Sequence, residues 1–229
     1  MLFFLDETEK VIDGITVGAI GAVAIPMNAY NGFCRRIYRI KQDELNAKSL
    51  DDKEIKGSDF LSKAAFKRLA LSGYSPHLRT LDRLLEALAD HGARVFALST
   101  LDASTLDLRT DTGGILSQPY AHMLGQFARY MSNWPDHKGL LLLDQMGMPQ
   151  DKRATCAIQN YMARHAHRTV LQQRLIQIPN FTHSVVSPGV QVADVVAYLA
   201  EHELKPTARP ELNDWIRRFK RLSYRSSWR

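Results

Sequence analysis

The sequence predicts an α/β fold, a single mixed sheet covered by helices. Three observations carry this. Short apolar runs of strand length alternate with longer stretches of helical period. The first two runs follow each other as the arms of a hairpin would. The chain of 229 residues, 45% hydrophobic and 24% charged, is long enough to bury one core without disulfides.

In order along the chain, Leu2–Leu5 is an apolar run that stops at Asp6 and Glu7, and it reads as a buried strand. Ile15–Ile25, rich in Val, Ile and Ala, reads as a second strand, with Asp13–Gly14 as the turn between them. Pro26 ends it. Residues 28–45 carry Tyr30, Phe33, Ile37 and Ile40 at helical spacing. The segment NAKSLDDKEIKGSD is polar apart from Ile55; Ser58 then caps a helix through Ala70, and Ser75–Pro76 opens another that Gly92 closes. Arg94–Thr100 is a strand, the following residues to Gly114 a loop, and Pro119–Trp134 a helix. Gly139–Leu143 is a leucine strand ending at Asp144; Pro149–Arg168 is a helix and Leu175–Ile178 a strand. Pro188–Glu203 is a strongly apolar helix, and a basic amphipathic helix from Glu211 to Leu222 ends the chain. The expected division is one α/β domain over 1–204 and a basic helical extension over 205–229.

The extension carries the charge. Lys205, Arg209, Arg217, Arg218, Lys220, Arg221, Arg225 and Arg229 face only Glu211 and Asp214, so residues 205–229 hold the whole net charge of +6 and the rest is neutral. A charge run is usually a solvated face. Here Arg217, Arg218, Lys220, Arg221 and Arg225, interleaved with aromatics, are also candidate phosphate contacts. Cys34 and Cys156 form no framework or metal-ligand spacing, which suits a cytoplasmic setting. The longest apolar stretch, Ile15–Met27, is short of the roughly 20 residues of a membrane helix and contains Gly18, Gly21 and Pro26; no membrane partner is expected.

Three acids stand out. Asp6 and Asp144 follow apolar strands, and ligands of open α/β sheets bind beyond the carboxyl ends of strands. Asp194 lies inside GVQVADVVAYLAEHE, where a carboxylate is costly unless paired or coordinated. Singly, each has a bland reading as a cap or a bonded polar group. Together they repel, and cations between them would relieve this; magnesium or manganese suits oxygen donors. Two such ions about 3.5–4 Å apart can drive phosphodiester hydrolysis. Glu54 is the best fourth acid.

The segments LFFLDETEK, KEIKGSDF, GLLLLDQMG and HSVVSPGVQVADVVAYLAEHE resemble the bacterial domain-of-unknown-function family 3800 over roughly residues 2–203. The match of Gln191, Ala193 and Asp194 in order is the most specific part. The resemblance implies a ribonuclease H-like fold and metal-dependent nuclease activity on DNA or RNA with two magnesium or manganese ions. It assigns Asp6, Glu54, Asp144 and Asp194 as catalytic metal ligands, with Asp6 bridging, and Lys56 as a catalytic partner that meets a phosphate or orients water. Glu7 and Gln191 are supporting residues. Where the family has Ser and Gly after the first acidic pair this chain has Thr8 and Glu9, and where an acid often follows the central-strand Asp it has Gln145. The four acids are then the minimum set. A different reading of the same residues is a non-catalytic module that binds nucleic acid or a protein.

Overall fold

The computed structural model describes residues 1–12, 15–101, 106, 115–164, 173–204 and 209–228. The Asp13–Gly14 turn, most of the 101–114 loop and the end of the helix expected to reach Arg168 lie outside these.

Strands β1 (Leu2–Ile12), β2 (Ile15–Ile25), β3 (Arg94–Thr100), β4 (Leu140–Asp144), β5 (Asn180–Thr182) and β6 (Ser223–Trp228) form one sheet in the order β5-β4-β1-β2-β3-β6. The first three make an antiparallel meander; β4 lies parallel to β1, β5 parallel to β4, and β6 parallel to β3. This is the α/β fold with a mixed sheet that the sequence predicts. The helices are α1 (Met27–Leu45), α2 (Gly57–Phe60), α3 (Lys63–Ser72), α4 (Pro76–Asp90), α5 (Gln118–Met131), α6 (Met148–Arg164), α7 (Pro188–Glu203) and α8 (Asn213–Lys220).

Alternation along β1 divides the core. Leu2 and Phe4 face one cluster, filled by α1, α4, α7 and α8. Phe3 and Leu5 face the other, filled by α5 and α6. The helix α7 is buried nearly all round and runs over β1 and β2. It can lie so close because the sheet beneath it is Gly21: a β-carbon there would overlap the Ala193 carbonyl and the Ala197 amide. Gly189 likewise rests on the Phe4 ring.

Four expectations need correction. β1 does not stop at Leu5 but continues to Ile12, because each polar residue after Asp6 pairs in register with β2. The helix expected from Ser58 is two helices, broken at Leu61, with Ser62 as the cap of α3 through a bond from the Ala65 amide (3.3 Å). The strand expected at Leu175–Ile178 is only a bridge from Leu175 to Gly139, and β5 follows it. The C-terminal segment is not only helical: after α8 the chain adds β6 to the sheet edge, and Trp215, Ile216, Phe219 and Trp228 are buried in the common core.

Candidate carboxylate site

The site lies where α7 passes the middle of β1 and the carboxyl end of β4, so Asp6 is a mid-strand residue and not, as expected, one that follows its strand. Leu5 pairs with Leu143 as the last step of the parallel ladder, and Asp6 and Asp144, the next residue of each strand, are near enough for Asp144 to act on Asp6. Both face α7, like Phe4 and Leu142. Asp6 Oδ1 accepts the Glu7 amide (2.9 Å). Asp144 Oδ1 accepts the amides of Gln145 (3.0 Å) and of Ser184 in the turn after β5 (2.9 Å). Asp194, on α7, accepts the Gly57 amide through Oδ2 (2.6 Å). Glu54 precedes α2 and pairs with Lys56 at 3.3 Å; Lys56 is half-exposed.

The charges of these groups bear on one another. Burial, then Asp194, Glu7 and Asp144, push the Asp6 carboxyl well above the usual carboxylate range. Burial raises Asp144, two amide bonds pull it back, and Glu54 raises it further. Burial also raises Asp194, opposed by the Gly57 amide and Lys56 and reinforced by Glu54 and Asp59. The four acids singled out in the sequence therefore share one electrostatic neighbourhood. Among the described residues, no group of three or more His, Cys, Asp or Glu side chains stands ready to hold a metal ion. As donors the four fit magnesium or manganese: they are oxygen-only, mutually repelling and balanced nearby by Lys56.

Gln191 ties the pieces together. Its Oε1 accepts the Ile55 amide (3.2 Å), and its Nε2 donates to the carbonyls of Ser184 (2.7 Å) and Val185 (2.9 Å). It thereby joins the Glu54 segment to the turn that holds Asp144. All three of these bonds are to backbone. Glu7 points to the opposite face, where it accepts a bond from the Tyr120 hydroxyl of α5.

Three residues escaped the sequence reading. Glu201, 1% exposed, accepts from the Thr8 hydroxyl (2.9 Å) on the same face of β1 as Asp6, and among the described residues its Oε1 has no hydrogen-bond partner. Its place seven residues after Asp194 was the available signal. Lys41, fully buried in α1, donates to the Leu50 carbonyl (2.9 Å) and faces Glu54, Asp52 and Asp51. His183, exposed, lies close enough to Asp144 to favour its charged form.

The candidate phosphate contacts of the C-terminal segment are largely matched. Arg217 pairs with Asp214 (3.3 Å), Arg218 with Asp82 (2.6 Å) and Lys220 with Glu203. Arg218 also stacks over Trp215. Arg221 is exposed, and the Arg225 side chain lies outside the described residues. No described helix is long and apolar enough to cross a membrane. Compared with protein-family models, curated proteins and solved structures, the chain matches none.

Proposed function

We propose that the chain is a divalent-metal-dependent nuclease on a ribonuclease H-like sheet, akin to the domain-of-unknown-function family 3800. One observation carries this reading. Asp6, Glu54, Asp144 and Asp194 come from four separate segments; Asp194 and Asp144 bear on Asp6, and Glu54 bears on Asp144 and Asp194. The meander β1–β3, flanked on its β1 side by parallel β4 and β5, is the arrangement such a sheet calls for.

Asp6, Asp144, Asp194 and Glu54 would hold magnesium or manganese. A bound ion supplies Lewis-acid stabilisation of a phosphoryl group and lowers the pKa of an attacking water. The chain's own part is positional. The amides of Ser184 and Gly57 fix Asp144 and Asp194, each leaving its second carboxylate oxygen for a ligand. Gln191 keeps Glu54 near them, and Lys56, half in solvent, can reach a phosphate.

The test is cleavage of DNA and RNA oligonucleotides with magnesium or manganese. Asp6→Asn and Asp194→Asn should each lower the rate by more than about a hundred-fold, beyond the cost of losing an outer partner of a metal ligand. Equal cleavage by wild type and both variants would sink the site. The non-catalytic module is favoured by the occupation of Asp144 and Asp194 by backbone amides, which explains their presence structurally. Divalent-ion titration by calorimetry separates the two: the enzyme binds ions and Asp144→Asn does not, whereas the module binds none.

A further inference from the structure

The helix α3 is thinly covered. Of KAAFKRLALS only Ala65 is buried, and the helix contains no acid. Lys63, Lys67 and Arg68 are exposed, and among the described residues none is ion-paired. Glu211, the carboxylate that feels Lys63, is already paired with Arg209. The start of α3 is nevertheless fixed to the site. Gly57 at the head of α2 donates to Asp194, Arg209 Nη2 donates to the Leu61 carbonyl (2.8 Å), and Ser62 caps the helix. The chain from Gly57 to Lys63 is at most about 20 Å long. That is roughly six steps of a duplex strand at 3.4 Å each.

We propose that α3, and not the C-terminal segment, is the face that grips the phosphate backbone of a nucleic acid leading into the carboxylate site. This rests on the nuclease reading for the substrate class and adds where it is held. Charge complementarity argues for the occupant: three unmatched cations on an acid-free helix, against the C-terminal Arg217, Arg218 and Lys220, which are matched by Asp214, Asp82 and Glu203. A phosphate neutralised by a cation releases counterions, so affinity gained this way falls steeply with salt.

The test measures binding of fluorescent single-stranded and duplex oligonucleotides without divalent ion, over a salt series. The variants are Lys63→Gln/Lys67→Gln/Arg68→Gln in α3 and, as the α8 variant, Arg217→Gln/Arg221→Gln in α8 and at its C-cap. The α3 variant should bind at least about ten-fold more weakly near 0.1 M salt, and the slope of log affinity against log salt should fall by about 2–3. The α8 variant should stay within about two-fold of wild type. Unchanged circular dichroism and thermal midpoint confirm that both variants are folded, as their altered side chains are exposed or half-exposed. The proposal is overturned if the α3 variant keeps wild-type affinity and slope. It is equally overturned if wild type ignores oligonucleotides and binds phosphatidylserine vesicles, a partner the exposed Leu69 and Leu71 would suit. Because no ion is present, the result stands apart from catalysis. A reduced slope together with undiminished cleavage by Asp6→Asn and Asp194→Asn would keep the α3 face and remove the carboxylate site.

Discussion

Asp6 carries the largest electrostatic burden among the four acids. Burial and then Asp194, Glu7 and Asp144 raise the proton affinity of its carboxyl well above that of an aspartate in the unfolded chain, whose pKa is about 3.9. Its contribution to stability is therefore fully present below that value and is lost as pH rises through the raised folded value. Asp6→Asn should be more stable than wild type at pH 7 in urea denaturation, and the gain should vanish towards pH 3. Lys41 behaves in the opposite sense. Burial lowers its ammonium to about 8, with Glu54, Asp52 and Asp51 pulling it back. The folded protein then binds fewer protons than the unfolded chain between about 8 and 10.4, so stability should rise with pH across that window. Lys41→Met should abolish this rise when the two proteins are compared by denaturation at pH 7.5 and 10. The acids were legible because Asp6, Asp144 and Asp194 each interrupt an apolar run. Lys41 was not, since a lysine in an amphipathic helix ordinarily reaches solvent, and only the fold of residues 46–56 over it seals it in.

At the scale of elements, the approach of α7 to the sheet decides the geometry of the site. An added methyl at Gly21 meets backbone on α7 and not a flexible side-chain end, so the helix itself must move. Gly21→Ala should cost about 3 kcal/mol or more in urea denaturation, at the upper end for overpacking a core. On the proposed metal site, stabilisation by added magnesium should weaken as well, because Asp194 rides on the same helix. The helix α7 was visible in the apolar pattern of residues 188–203, but its contact with Gly21 was not, as periodicity carries no register between distant segments. The same limit hid the length of β1. Asp6-Glu7-Thr8-Glu9-Lys10 has poor strand propensity, and pairing with β2 overrides it.

At the scale of the molecule, the C-terminal segment belongs to the body. Residues 209–228 supply α8 and β6, with Trp215, Ile216, Phe219 and Trp228 buried in the main core. Burying each such side chain contributes roughly 1.5–3 kcal/mol, and four together rival the typical 5–15 kcal/mol stability of a whole domain. Truncation after residue 208 should thus lose the cooperative thermal transition seen by circular dichroism. Retention of a wild-type transition would show the segment to be an appendage. The charge excess of 205–229 was plain in the sequence and suggested a basic helical extension of the α/β domain. The strand was not plain, because SYRSSW is polar and becomes a strand only against β3.

The parallel pairing of Leu2 with Leu140 also sets an order of events during synthesis. The β1–β2 hairpin joins neighbours and can close as soon as both arms are made. β1 then waits with one edge open until β4 has been added, and Asp194 arrives later still. A ribosome holding the growing chain therefore carries an incomplete set of acids until α7 has emerged. On the nuclease proposal, the activity would be withheld from the nascent protein by the order of its elements alone.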